Sequence, residues 1–225
     1  MTPMNHETIL RIYFVRHGET NENRAAIVQG QLDTDLNEDG IKQSHLCAKV
    51  LKDVNFVVGF SSDLKRASDT ATIIMKYHPE VELLKDPGLR ERHMGELQGA
   101  RAGTFNRRKL PPSVESDAAF TERVIGWWRT VIEQHLPSYP LVSEVQDVLV
   151  VSHGAYINTL CHVLVATGVI EMDPNMRMGS CYNTSVTVIE MRRDKRGKLI
   201  KYSDISHILY PEEVVQANAD EQSGR

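Results

Sequence analysis

Leu10-Arg11-Ile12-Tyr13-Phe14-Val15 runs directly into Arg16-His17-Gly18-Glu19-Thr20, an apolar stretch that stops on an arginine, a histidine and a glycine. A strand ending this way sets a guanidinium and an imidazole at its C-terminal edge, and the glycine lets the backbone turn away tightly. The pattern returns far downstream, where Val148-Leu149-Val150-Val151 runs into Ser152-His153-Gly154. Two strand-ending His-Gly pairs predict two imidazoles facing each other across one pocket. Such a pair suits phosphoryl transfer through a phosphohistidine.

Working outward, strands and helices alternate, which predicts an α/β fold: three α/β/α layers on a mostly parallel central sheet. Phe56–Phe60 and Val148–Val151 are short continuous apolar runs, as expected of strands buried on both faces. Three helical stripes follow from the spacing: Leu64, Ala67, Ala71, Ile74 and Met75; Phe120, Val124, Trp127, Trp128 and Val131; Ile157, Leu160, Cys161, Leu164 and Val165. A further helix is expected over about Glu38 to Lys52, capped near Asn37 or Asp35. Val186, Val188 and Ile189, then Asp194-Lys195-Arg196-Gly197, then Leu199 to Tyr202 read as an edge hairpin near the C-terminus. Residues 95–117, which hold Pro111-Pro112, are the least regular stretch and the candidate lid-like insertion. The polar tail at 216–225 is expected to fray. With no internal repeat or linker, residues 1–225 read as a single domain.

Bulk properties narrow the class. The chain has 225 residues, 41% of them apolar and 25% charged, as in ordinary globular proteins. A net charge of -4 gives no global attraction to nucleic acid or acidic membranes. No apolar run is long enough to span a bilayer, and Met1–Glu7 does not read as a secretory signal. Three widely spaced cysteines, Cys47, Cys161 and Cys181, form no metal or disulfide pattern and read as small buried thiols. A cytoplasmic protein is expected, with a nuclear pool and the oligomeric state left open.

Ligands of open α/β sheets bind outside the carboxyl ends of the strands, where both His-Gly pairs fall. Ser61-Ser62-Asp63-Leu64-Lys65-Arg66 follows another strand and puts Arg66 in the first turn of a helix, where backbone N–H groups favour anions. Arg90-Glu91-Arg92-His93-Met94-Gly95-Glu96 is a dense titratable cluster. Together these predict that neutral His17 attacks phosphorus in line while Arg16, Arg66 and His153 hold the nonbridging oxygens. Arginine suits this task because its planar fork stays charged and binds two oxygens at once. An enclosed carboxylic acid, best placed at Glu91 with Glu96 as competitor, protonates the leaving alkoxide and then activates water. The scheme calls for neither metal nor cofactor. Taken singly, His17 reads as a core histidine, Arg66 as a solvated helix residue and Glu91 as a surface carboxylate; their joint order makes the case.

These motifs resemble the histidine phosphatase superfamily, also called phosphoglycerate mutase-like, over about Leu10 to Tyr210. The resemblance implies that His17 is the phosphorylated nucleophile, that Glu91 is the proton donor, and that Arg16, Arg66 and His153 complete the phosphate pocket. It places Thr20, Asn23, Gln29, Gly30 and Arg92 among further phosphate or substrate contacts. Phosphoglycerate mutases of the family usually carry a tyrosine where Met94 stands and an asparagine where Ala155 stands, and have a longer segment between acid and second histidine. The shorter segment here is more similar to the phosphatase branch, which includes fructose-2,6-bisphosphatases of the TIGAR type and broad-specificity fungal and bacterial phosphatases. Arg92, Arg101, Arg107, Arg108 and Lys109 read either as a grip on a second anionic group or as a solvated face. The expected activity is metal-independent hydrolysis of small phosphorylated metabolites, sugar or organic-acid phosphates. The alternatives are a 2,3-bisphosphoglycerate-dependent mutase, a protein-tyrosine phosphatase and a non-catalytic phospho-ligand domain.

Overall fold

The computed structural model describes residues 8–106, 108–135 and 145–208. Arg107, the Met1–Glu7 stretch and the tail at 216–225 lie outside the described residues. In chain order the elements are β1 (Thr8–Arg16), α1 (Asn21–Arg24), α2 (Glu38–Leu51), β2 (Phe56–Ser61), α3 (Lys65–Met75), β3 (Leu83–Lys85), α4 (Asp117–Trp127), β4 (Gln146–Ser152), α5 (Gly154–Ala166), β5 (Ile170–Met172), β6 (Val186–Arg192) and β7 (Gly197–Asp204).

The strands form one seven-stranded sheet in the order β3-β2-β4-β1-β6-β7-β5. Parallel pairing joins β1 to β4, β4 to β2, β2 to β3 and β5 to β7, whereas β6 runs antiparallel to both β1 and β7. The sheet is therefore mostly parallel. The β6–β7 hairpin lies at the expected end, and the three-residue β5 adds a last strand outside it.

Side chains alternate across the strands and so sort the core into two faces. Ile12, Phe14, Val148 and Val150 meet α4 and α5 on one side. Val15, Leu149 and Val151 meet α2 and α3 on the other. These are the three layers, and they explain why the strands read as unbroken apolar runs.

Helix starts follow their caps. Asn37, not Asp35, caps α2, its Oδ1 accepting from Gly40 N at 2.7 Å. Ser116 caps α4 by accepting from Ala119 N at 3.1 Å. Past Trp127 the helix widens into π turns over Trp128–His135. Trp128 and Ile132 follow Trp127 into the core, and the expected Val131 is half-buried and packs against it.

The insertion at 95–117 is tied to the loop before α2. Val28 N donates to Ala100 O at 2.9 Å, Gly99 N to Val28 O at 2.8 Å and Ala102 N to Ala26 O at 2.8 Å. Val28, Met94 and Val114 form a small separate core beneath it, flanked by Leu97, Phe105 and Leu110. Cys47, Cys161 and Cys181 are free and buried. Among the described residues no helix is long and apolar enough to cross a membrane.

Candidate active site

Strand register levels the site. Arg16 pairs with Ser152 across β1 and β4, and His17 N continues the ladder to Ser152 O at 3.0 Å. Both His-Gly turns thus leave the sheet at the same height. Ser62 N donates to Val151 O at 2.9 Å, which brings the start of α3 to the same crevice.

The turn after His17 is possible only because two glycines meet. Gly18 N donates to Thr70 Oγ1 at 2.9 Å, and a Cβ on Gly18 would stand 2.5 Å from Gly40 O and 2.8 Å from Ser44 Oγ. Glu19, buried behind the turn, accepts from Asn37 Nδ2 at 2.7 Å and pairs with Arg24. It braces the α2 N-terminus and takes no part in the pocket.

His17 and His153 are buried, with ring centroids 5.2 Å apart at 60°. His17 Nδ1 lies 2.7 Å from its neighbour's carbonyl, Gly18 O, and must donate to it, because a carbonyl only accepts. The lone pair is therefore on Nε2, where Arg66 Nε donates at 3.3 Å. Burial, then Arg66, then Arg16 hold the His17 pKa well below its usual 6.5. Burial, followed by Arg66, His17, Arg16 and Arg123, does the same for His153. Both imidazoles are neutral, and a neutral imidazole with Nε2 free of a proton is a nucleophile.

Arg66 is aimed by carbonyls: Nη1 donates to Leu32 O at 2.7 Å and Nη2 to Gly30 O at 2.8 Å. Gly30 serves this geometry with a left-handed φ of 50°, in a turn where a Cβ would meet Gln98 Oε1 at 2.6 Å. Arg16 Nη1 donates to Cys181 O at 2.7 Å. Arg16 Nε and both ring nitrogens of His153 are buried with no hydrogen-bond partner in the protein. Buried polar groups are almost always paired, so these atoms mark a cradle for a polar ligand.

Glu91 is 2% exposed. Its Oε1 accepts from Arg92 N at 2.8 Å and its Oε2 from Ala155 N, in the first turn of α5, at 3.0 Å. Glu96, the competing acid, sits on a short 3-10 turn with its backbone bonded to Ser113, away from these contacts.

The remaining expected contacts separate into two groups. Thr20 caps α1, with Thr20 N donating to Asn23 Oδ1 at 3.1 Å and Asn23 N to Thr20 Oγ1 at 3.2 Å. Gln29 Oε1 lies 3.1 Å from the Thr20 hydroxyl and accepts from Thr34 Oγ1 at 2.6 Å. Thr20, Asn23 and Gln29 therefore form one buried polar brace beside His17. Arg92 turns elsewhere, its Nε donating to Glu115 O at 2.7 Å and its Nη1 pairing with Asp117 at 2.6 Å. Arg101, Arg108 and Lys109 are exposed.

Two residues with no motif to announce them also belong to the site. Asn183 Nδ2 donates to His17 O at 2.9 Å and reaches Asn23 Oδ1 at 3.4 Å. Thr184, at a left-handed φ of 54°, donates its N–H to Arg16 O at 3.0 Å. They lie more than 160 residues from His17, and an Asn-Thr pair before a strand reads only as a turn. Among the described residues no group of three or more His, Cys, Asp or Glu side chains is placed to hold a metal ion.

The chain is similar to several known proteins. A metal-independent phosphoserine phosphatase of Arabidopsis thaliana is 32% identical over 216 residues, covering 89% of this chain and 84% of the relative. The fructose-2,6-bisphosphatase TIGAR B of Danio rerio is 30% identical over 213 residues, covering 77% and 83%. A phosphoglycerate mutase structure from Bacillus anthracis superposes with a TM-score of 0.74 at 25% identity, over 92% of this chain and 98% of that one. Residues 12–204 match the model of the histidine phosphatase superfamily (branch 1), and the chain belongs to that family.

Proposed function

We propose that this phosphatase hydrolyses small phosphorylated metabolites, sugar or organic-acid phosphates, through a phosphohistidine at His17. The observation that carries this reading is the group of buried, unpartnered nitrogens of Arg16 and His153 around the lone pair of His17 Nε2. A phosphoryl group supplies acceptor oxygens for the Arg16 Nε–H and for the one N–H of neutral His153.

In the first step Nε2 forms a bond to phosphorus as the ester P–O bond breaks, and the proton of the Glu91 carboxylic acid passes to the departing oxygen. Arg16, Arg66 and His153 hold the nonbridging oxygens as charge shifts among them. In the second step the Glu91 carboxylate takes a proton from water, the water oxygen bonds to phosphorus and the N–P bond breaks. Inorganic phosphate leaves and His17 is neutral again. Asn23, braced through its Oδ1 by Thr20 and Asn183, has its amide nitrogen left for the substrate.

Burial of every one of these groups favours a slim monoester over a phosphoprotein. Hydrolysis is favoured over mutase chemistry because Arg92 is engaged by Asp117 and Glu115, while Arg101, Arg108 and Lys109 are exposed. Among the described residues, these four basic side chains form no enclosed grip on a second phosphate or carboxylate.

The test is phosphate release across a metabolite panel in EDTA, comparing wild type with His17→Ala. O-phosphoserine and fructose 2,6-bisphosphate belong in the panel, because relatives are named for them. Metal-independent release is expected, falling at least about a hundredfold in the variant. Unchanged release in His17→Ala overturns the mechanism. Interconversion of phosphoglycerates without phosphate appearing establishes the mutase instead.

A further inference from the structure

The segment that carries the proposed acid, Arg90 to Met94, belongs to no helix or strand. Its backbone groups need partners from elsewhere, since an unpaired buried carbonyl is costly. Gln31 Nε2 donates to Glu91 O at 3.0 Å, and one ion pair supplies several of the rest. From α4, Arg123 Nη1 donates to Gly88 O at 3.1 Å and Arg90 O at 2.7 Å, and Nη2 donates to Glu91 O at 3.2 Å. The rest of the guanidinium is held by Glu115, with Nε to Oε1 at 3.0 Å and Nη2 to Oε2 at 2.9 Å. A guanidinium has five N–H donors, and these five contacts use them all.

Glu115 holds the same segment from its other side. Its Oε2 accepts from His93 N at 2.9 Å, its own N–H donates to His93 O at 2.8 Å, and its carbonyl accepts from Arg92 Nε. The start of α4 is thus fastened to residues 88 to 93 on both sides of Glu91. No hydrogen bond of Arg123 or Glu115 reaches His17, Arg16, Arg66 or His153, although the Arg123 charge is felt at His153. Both side chains are largely buried, at 23% and 16% exposed, so the pair is well ordered and poorly screened.

We infer that the Arg123–Glu115 pair is the positioning device for proton transfer: it fixes the Glu91 backbone so that the carboxyl meets the leaving oxygen. The inference rests on the proposed role of Glu91 as the acid. Lysine cannot replace Arg123, because a single ammonium cannot span three carbonyls and a carboxylate in one plane.

A positioning role and a purely structural one differ in what they do to leaving groups. An aryl phosphate departs with little help from an acid, whereas an alkyl phosphate needs the proton. The experiment measures kcat/KM for p-nitrophenyl phosphate and for an alkyl phosphomonoester in wild type, Arg123→Lys, Glu115→Gln and Glu91→Gln, with Tm determined for each. Arg123→Lys and Glu115→Gln are expected to lose about tenfold or more on the alkyl ester and less than about threefold on the aryl ester. Glu91→Gln is expected to show the same split more strongly. Equal losses on both esters in the two pair variants, or a ratio unchanged while only Tm falls, overturn the inference. A split in Glu91→Gln without one in the pair variants overturns the positioning role alone. No split in Glu91→Gln overturns the acid assignment together with it. Should Arg123→Lys fail to fold, Glu115→Gln decides.

Discussion

His17 and His153 stand with ring centroids 5.2 Å apart, both buried and both held neutral beside Arg16 and Arg66. Two neutral imidazoles beside two guanidinium groups give the cradle positive charge that the rings do not offset. The missing negative charge is what a phosphate brings.

Phosphate should therefore stabilise the fold. At a hundred times its Kd, inorganic phosphate adds about 2.7 kcal/mol to the unfolding free energy, read as a rise in Tm. The rise should disappear in Arg66→Met and persist in Arg101→Ala, whose side chain is exposed. Protection surviving in Arg66→Met would place the anion elsewhere.

Arg66 is aimed through Leu32 O and Gly30 O, so its shape should matter as much as its charge. Arg66→Lys keeps the charge and loses the fork. We expect kcat/KM to fall about 10²–10³-fold on aryl and alkyl esters alike. A drop under about fivefold would show that charge alone suffices.

The pH dependence of stability has a definite sign. Both histidine pKa values are depressed on folding, so below 6.5 the unfolded chain binds protons that the folded chain does not. The stabilisation is complete above the unfolded value and declines as pH falls below it, by about 1.4 kcal/mol per pH unit for each histidine. Unfolding followed from pH 7.5 to 5.5 should show a shallower loss in His153→Asn than in wild type. Equal slopes would mean that His153 is not held neutral.

Two glycine substitutions should act in opposite directions. Gly18→Ala pushes a methyl group against Gly40 O and should cost about 1–3 kcal/mol, together with activity, since the turn carries His17. Gly126→Ala lies in α4 with nothing within 4 Å of the added carbon and should stabilise by about 0.4–1 kcal/mol. Denaturant unfolding of both measures the contrast.

Much of this was legible in the sequence where chemistry and periodicity coincide. Apolar runs located β1, β2 and β4, Asn37 announced α2, and the Arg-His-Gly, Ser-His-Gly and helix-start arginine motifs named residues that meet in space. The short strands β3 and β5 were not legible, because three residues carry no period. The widening of the helix into π turns after Trp127 leaves no mark on the apolar spacing, and Ile132 was not read as part of the stripe. Arg92 sits in the acid cluster by sequence yet turns to Asp117, a choice made by the start of α4 and not by its neighbours. Asn183 and Arg123 were silent for the same reason: each acts on backbone groups of distant residues, and no local pattern records that.

The pairing of Arg16 with Ser152 works as a ruler. One residue inserted into β1 alone would carry His17 about 3.3 Å further along and turn its side chain to the opposite face of the sheet. The same change in β4 would do this to His153. Neither strand can gain or lose a residue by itself and keep the two rings together; only matched changes in both would leave the pair facing. The separation of the two imidazoles is thus counted out by two segments more than a hundred residues apart, as a shared quantity that neither segment holds alone.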